Sequence, residues 1–226
     1  MIIFVDYEHA DRYKDGGGSN IQAARTWISY RLEDLSGMPS LLVRWDRISL
    51  ELLAKIDAQA IFISGNGSDP SLYDADALTP LYEIIRDSGL PIFGFCGGLQ
   101  CLALALGGEL RLLDIAPDAE ESDTLKKWPN GHFGEVGYHP IELLGEHELL
   151  VGLGDAPVFR HAHGLHVPEP PSGFQVLART EITPVQIMVN DETRIIGTQF
   201  HPEYWTDEHP AGKTLIENFM RWSSLI

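Results

Sequence analysis

The sequence is short of cysteine, of positive charge and of long apolar runs, and each shortage removes a class of protein. Of 226 residues only Cys96 and Cys101 are cysteine. Two thiols five positions apart, on what reads as a turn and a helix, build no disulfide framework, so a reducing compartment is expected. Lys and Arg number 16 against 33 Asp and Glu, a formal net charge of −17. Without a basic stripe to neutralise phosphates, neither nucleic acid nor an anionic membrane is an expected partner. No stretch approaches the ~20 apolar residues of a membrane-spanning helix. Met1–Asp6 has neither the basic segment nor the apolar length of a signal peptide. A cytoplasmic location is therefore expected.

What is present is an alternation of short apolar runs and amphipathic stretches. Ile2–Val5, Ser40–Trp45, Ala58–Ser64 and Pro91–Phe95 read as buried strands. Helices are expected from Ser19, as N-cap, to about Leu35, and over Leu50–Ile56, Asp76–Ser88 and Leu99–Leu106. The pattern predicts an α/β fold with an open, mostly parallel sheet flanked by helices. After Gly108 the pattern changes. Ala116–Gly131 is charged and is expected to be a mobile loop. Short strands follow near Glu135–Leu144, Val158–Ala162, Phe174–Arg179, Val185–Val189 and Arg194–Phe200, with a turn at Asn190–Glu192. They form a small antiparallel extension, and Ala211–Trp222 closes the chain as an amphipathic helix. No linker or repeat divides residues 1–226, which read as one domain. The polar segment Glu8–Asn20 holds Gly16-Gly17-Gly18, but no phosphate-binding pattern is completed, and a flexible loop is expected.

Functional loops of a parallel sheet lie at the carboxyl ends of its strands. Two loops there carry chemistry. The strand Pro91–Phe95 runs into Cys96-Gly97-Gly98 and then a helix, the pattern of a nucleophile elbow. A sulfur at a helix N-terminus is held as thiolate by the free N–H groups and the macrodipole. The strand before it opens into Gly65-Asn-Gly-Ser-Asp-Pro70, rich in turn residues. A thiol nucleophile needs a base, and His201-Pro-Glu203 offers one. In an extended segment residues i and i+2 share a side, so Glu203 can orient the His201 ring. Cys101 reads as a small apolar core residue.

These residues resemble a family. Gly94-Phe-Cys-Gly-Gly-Leu-Gln100 is similar to the G-x-C-x-G-x-Q elbow of class I, triad-type glutamine amidotransferases, and Gly197-Thr-Gln-Phe-His-Pro-Glu203 to their G-x-Q-F-H-P-E segment. Ile63–Pro70 resembles the S-x-G-P-G-x-P loop. Arg44–Glu51 resembles a segment of the anthranilate-synthase type, and the whole is similar to glutaminase domains of that enzyme and of carbamoyl-phosphate synthetase. His163-Gly-Leu-His-Val167 and Gly212–Phe219 fall where the family has its glutamine-facing segment and its closing helix. The resemblance implies a flavodoxin-like fold and a Cys96–His201–Glu203 triad that cleaves the glutamine side-chain amide through a thioester. It implies an oxyanion hole of Gly97 with Asn66 or, after a one-residue shift, Gly67. Gly65, Gln100, Gly164 and Leu165 would bind substrate, the last two through backbone atoms. It implies no cofactor and no metal. Asn66 stands where the family has glycine, a replacement expected to survive because Asn tolerates left-handed backbone.

Three functions compete. A glutaminase would hand ammonia to a synthetase or synthase partner. A γ-glutamyl amide hydrolase would use the same triad on a γ-glutamyl amine. A non-catalytic regulatory member would keep only the fold, and the intact Cys96, His201 and Glu203 speak against it.

Overall fold

The structure is a computed structural model and describes residues 1–14, 16–116, 118–128 and 130–226. The chain begins β1 (Ile2–Asp6), α1 (Gly18–Ser36), β2 (Ser40–Arg44), α2 (Leu50–Lys55), β3 (Ala60–Ile63), α3 (Ala75–Asp87), β4 (Ile92–Phe95) and α4 (Gly97–Ala105). It continues through β5 (Arg111–Leu112), β6 (Leu125–Lys127), β7 (Phe133–Pro140), β8 (Glu142–Leu143), β9 (Val158–His163) and β10 (Leu165–His166). It ends with β11 (Gln175–Arg179), β12 (Ile187–Asn190), β13 (Ile195–Thr198) and α5 (Ala211–Trp222). One eight-stranded sheet has the order β2-β1-β3-β4-β13-β12-β11-β8. The strands from β2 to β13 in that order are parallel to their neighbours, and β12, β11 and β8 add an antiparallel edge. Strands β6-β7-β9 and β10-β5 form two small antiparallel sheets. No helix is long and apolar enough to cross a membrane among the described residues.

Period two divides the parallel strands between two apolar layers. Ile3, Val5, Ile61 and Ile63 pack with α2, α3 and α4 on one face. Ile2, Phe4, Phe62, Phe93 and Phe95 pack with α1 and α5 on the other. Every residue of β1, β3 and β4 is buried, which is why these strands read as unbroken apolar runs. Cys101 is fully buried in the first layer, and burial pushes its thiol up to about 12. Both cysteines are free.

Three local expectations are corrected. Helix α1 starts at Gly18 with Gly17 as N-cap and no side-chain cap bond, so Ser19 lies inside it. Gly18 packs so tightly on Tyr13 that a Cβ would lie 2.7 Å from its carbonyl, and the chain winds early. The segment from Glu8 is no free loop: Ala10–Tyr13 forms a 3-10 turn and Glu8 is buried. The Ala116–Gly131 segment contains β6, which pairs with β7. Residues 15, 117 and 129 of these two segments lie outside the described residues. The turn after Asn190 is as expected, its Oδ1 accepting from the Glu192 and Thr193 N–H groups.

Three backbones meet behind the elbow. A Cβ on Gly98 would lie 2.3 Å from the Ile63 carbonyl oxygen, and one on Gly94 2.6 Å from the Gly98 carbonyl carbon. No side-chain shift relieves either clash, since both meet backbone. Gly98→Ala should therefore cost about 2–4 kcal/mol, as overpacking does at its upper end, and lower the melting temperature by roughly 5–15 °C. Gly17→Ala, which meets nothing within 4 Å, should stay within about 0.5 kcal/mol of the parent. Paired thermal melts of the two variants check this.

Candidate active site

Cys96 sits between β4 and α4 with φ 49° and ψ −103°. A non-glycine residue there is strained, at a cost of about 1–3 kcal/mol. Its N–H donates to the Thr198 carbonyl at 2.7 Å, tying the elbow to β13. Helix α4 begins at Gly97, so the Gly97, Gly98 and Leu99 N–H groups precede the first intrahelical bond, Gln100 N–H to Cys96 O at 3.1 Å. The thiol is almost fully buried. Gln199 Nε2 donates to Sγ at 3.7 Å, and the Ala162 carbonyl lies 4.0 Å from it.

Parallel pairing of β13 with β4 sets Thr198 beside Phe95, so the residues after β13 emerge beside the elbow. His201 follows, its N–H donating to the Arg160 carbonyl of β9 at 2.8 Å. Its Nδ1 lies 2.7 Å from Glu203 Oε1. Glu203 is 1% exposed, and among the described residues nothing donates to its Oε2. The imidazole is thus the carboxylate's direct partner, with the Arg31 guanidinium nearby, donating to the Glu203 main-chain carbonyl at 2.9 Å. Burial works against a charged His201, but attraction and hydrogen bonding from Glu203 and Cys96 outweigh it and raise its pKa to about 10. Gly65 closes this group from β3. A Cβ there would lie 2.7 Å from His201 Cε1 and 3.4 Å from Cys96 Cβ. Gly212 lets α5 reach the same turn, since a Cβ would lie 2.1 Å from the Pro202 carbonyl oxygen.

The loop after β3 distinguishes the two expected oxyanion donors. The Gly67 N–H is committed to Glu8 Oε2 at 2.8 Å. No acceptor reaches the Asn66 N–H among the described residues. That nitrogen and the Asn66 side chain crowd Gly97: a Cβ on Gly97 would lie 2.9 Å from Asn66 N and 1.9 Å from its Oδ1. Asn66 is not left-handed, so its tolerance of that conformation is not what admits it. Its Nδ2 donates to the Tyr73 hydroxyl at 2.9 Å and to the Ser68 carbonyl at 3.2 Å.

A cavity of about 980 Å³ opens over Cys96, and its lining includes Asn66, Gly67, Gln100, Gly164 and Leu165 together with Glu109, Trp128, Asn130 and His132. Gln100 is buried and its Nε2 donates to the Leu165 carbonyl at 3.0 Å. That carbonyl also faces His163 Nδ1 at 3.2 Å, and the Gly164 carbonyl accepts from Leu113 N–H at 3.0 Å. Both carbonyls are therefore already partnered. Gly164 lies against the Trp128 ring, which a Cβ would meet at 3.0 Å.

The structure adds residues that the sequence does not single out. Glu8 accepts from Gly67 N–H and, at 2.5 Å, from the Ser68 hydroxyl. Arg25 donates to the Gly65 carbonyl at 2.6 Å and to Asp6 Oδ1 at 2.8 Å. Tyr73 holds Asn66, and Gln199 reaches the thiol. Of these only Gln199 carries a local signal, its place in the Gly197–Glu203 segment. Of the Arg44–Glu51 segment, Trp45 touches this network, through Nε1 to the Glu8 carbonyl at 3.2 Å. Metal-ligating atoms come together among the described residues at Glu135, His161 and His163, in the β7–β9 sheet.

The model of the family "Glutamine amidotransferase class-I" matches residues 20–222. The chain is 36% identical over 165 residues to a GMP synthase [glutamine-hydrolyzing] of Symbiobacterium thermophilum, covering 72% of this chain and 27% of that protein. It is 32% identical over 198 residues to the enzyme of the same name from Xanthomonas oryzae pv. oryzae, covering 85% and 33%. The chain thus spans about a third or less of the curated relatives it matches. Among solved structures, a glutamine amido transferase from Methylobacillus flagellatus superposes with a TM-score of 0.67 at 17% identity, covering 100% of this chain and 94% of that one. A glutamine amidotransferase from Thermotoga maritima gives 0.66 at 13%, covering 98% of each chain. By the family match over nearly its whole length, with the α/β fold to accompany it, the chain belongs to the class-I glutamine amidotransferase family.

Proposed function

We propose that this chain is a glutaminase that releases ammonia for a synthetase, on another chain or in another part of a longer one. The observation that carries the reading is the 2.7 Å contact of His201 Nδ1 with buried Glu203, beside a thiol on a strained helix N-terminus. Cys96 Sγ attacks the δ-carbon of the glutamine side chain. The developing oxyanion takes hydrogen bonds from the N–H groups of Gly97 and Asn66, donors of a kind worth about 3 kcal/mol each. Gly67 is left out because Glu8 already holds its N–H. His201 gives its proton to the departing amine, so ammonia leaves and a glutamyl thioester remains. Water, deprotonated by His201, then attacks the thioester and returns the thiolate. The balance is glutamine plus water to glutamate plus ammonia. Gln100 braces the cavity wall through Leu165, and Gly65 and Gly164 keep it open by lacking side chains. The relatives' names make a GMP-synthase-type partner the first to test.

A second reading, hydrolysis of a γ-glutamyl amide with a larger amine, is favoured by one observation. The 980 Å³ cavity is at the top of the range for drug-sized ligands, far beyond one amino acid. Glutamine and a panel of γ-glutamyl amines, each given with and without a synthetase partner, separate the readings. Release of glutamate from glutamine, increased by the partner, supports the first. Turnover of an amine conjugate with glutamine inert in both conditions supports the second. An electrophilic glutamine analogue should label the wild type and leave Cys96→Ser unlabelled.

The raised pKa of His201 fixes the sign of a pH effect. The imidazole keeps its proton up to about pH 10, so kcat/KM should fall as pH rises through that value. Glu203→Gln removes the charge that holds the proton. The descending limb should then move to lower pH by about one unit or more, and kcat should drop by about 10²-fold or more. An unmoved limb in the pH–rate profile would remove Glu203 from this role.

Glu8 acts through the loop it grips. In Glu8→Ala the Asn66 N–H loses its fixed position, and kcat should fall by up to about 10²-fold, the effect of a displacement near 1 Å, with KM little changed. Glu8→Gln keeps one acceptor and should recover part of the loss in steady-state assays.

A further inference from the structure

The β7–β9 pair carries a buried group of side chains that the glutaminase chemistry does not use. Antiparallel register sets Glu135 opposite His163, Gly137 opposite His161 and His139 opposite Phe159. Alternation places all six on one face of the pair. Gly137 contributes no side chain, and the His139 and His161 rings stack over that gap with centroids 3.6 Å apart. His161 is 1% exposed, and neither of its ring nitrogens has a partner among the described residues. A buried group left unsatisfied in this way costs about 1–3 kcal/mol and calls for a ligand.

His163 is arranged as a ligand is. Its Nδ1 lies 3.2 Å from the Leu165 carbonyl, which can only accept, so Nδ1 donates there and Nε2 is the ring nitrogen turned toward Glu135. Metal-bound histidines are held by this backbone contact on their second nitrogen. Nε2 is 3.0 Å from Glu135 Oε2 without hydrogen-bond geometry. Ligand bonds of about 2.0–2.2 Å set neighbouring donor atoms on one ion about 3 Å apart. The Glu135 carboxylate is itself fixed by Thr180 at 2.7 Å, Thr183 at 2.6 Å and Gln186 at 2.9 Å. One donor atom each from Glu135, His161 and His163 lies within 4.8 Å of the others, and all three residues are buried. A simple Glu135–His163 ion pair leaves His161 unexplained.

We propose that Glu135, His161 and His163 form a binding site for a first-row divalent transition-metal ion, of which Zn²⁺ is the type. Two imidazoles and a carboxylate suit such ions and leave coordination positions open. The ion cross-links β7 to β9. Its histidine ligands flank Ala162, whose carbonyl faces the Cys96 sulfur, and the Leu165 carbonyl is shared between His163 and Gln100. Occupancy therefore reaches the cavity wall through backbone already in contact with it.

Binding is measured on the full chain after chelator treatment, by equilibrium dialysis against ZnCl₂ with elemental analysis, in a Cys96→Ser background that removes the thiol as a competing ligand. One equivalent should bind. His161→Gln should weaken binding by more than the about 10- to 100-fold that loss of a ligand's supporting partner costs. Co²⁺ added to the unmutated chain provides a second reading that needs no variant to fold. It should give ligand-field absorption and a paramagnetically shifted, exchangeable proton signal from the His163 Nδ1–H. The proposal is overturned if the chain binds no stoichiometric Zn²⁺ or if no shifted imidazole signal is seen. Binding by the parent chain that is lost in Cys96→Ser, or binding in Cys96→Ser that a further His161→Gln leaves unchanged, also overturns it.

Discussion

Where Gly94, Gly98 and Ile63 meet, three backbones approach more closely than any side chain permits. This contact brings the start of α4 down onto β3 and β4. It thereby sets the free N–H groups of α4 beside the loop that leaves β3. Cys96 must turn the chain from β4 into that helix within one residue, hence its positive φ. The strain is sustained because both flanks are over-determined: Phe93 and Phe95 pack edge to face at 4.7 Å, and Thr198 holds the Cys96 N–H. On the proposed reading, the placing of the Cys96 thiol at the helix start and of the oxyanion donors beside it both follow from this one packing contact.

Around that contact the acidic character of the chain is put to use. Buried carboxylates stand at strand ends: Asp6 at the end of β1, Glu8 just beyond it, and Glu203 after β13. Each has a specific partner. Asp6 is paired with Arg25, itself buried, and also accepts from the Tyr13 hydroxyl. Burial opposes the Arg25 charge, yet Asp6 more than restores it and raises the guanidinium pKa. Breaking a buried pair of this kind costs about 3–5 kcal/mol because one charge is left stranded. An exposed pair such as Arg179–Glu142 is screened by solvent and contributes far less. Since Arg25 also holds the Gly65 carbonyl, the pair that stabilises the β1–α1 corner also aims the loop against His201.

Legibility in the sequence follows the range of the interaction. The parallel strands are legible because two-sided burial makes them unbroken apolar runs, and α5 because its buried face recurs at helical spacing. The elbow and His201-Pro-Glu203 are legible because each packs its chemistry into a few consecutive residues. Glu8 is not: its bond to Gly67 spans 59 positions, and nothing local marks a glutamate as an acceptor for a distant loop. Arg25 reaches Gly65 across 40 positions and is hidden in the same way. Strand β6 is hidden because Leu125-Lys126-Lys127 offers one apolar residue, and its pairing with β7 supplies the order instead. Helix α1 starts earlier than its local chemistry suggests. Ser19 is a good cap in isolation, while the actual start answers to tertiary contact between Gly18 and Tyr13.

The two walls of the cavity come from different kinds of sequence. The reacting wall is built from buried strand ends whose glycines and strained Cys96 tolerate no change in position. The rest of the lining includes Glu109, Trp128, Asn130 and His132, which lie outside the parallel strands. A triad that cleaves a γ-glutamyl amide acts on the carbonyl and the departing nitrogen, which are the same atoms in glutamine and in a larger conjugate. As the proposed triad, Cys96, His201 and Glu203 are therefore indifferent to what the nitrogen carries. On the proposed reading, selection between the two falls to the rest of the lining, in which the Trp128 ring rests against Gly164. On the proposed reading, chemistry and recognition are thus carried by different residues of this fold: the elbow supplies the reacting atoms, and the rest of the lining meets what the nitrogen carries.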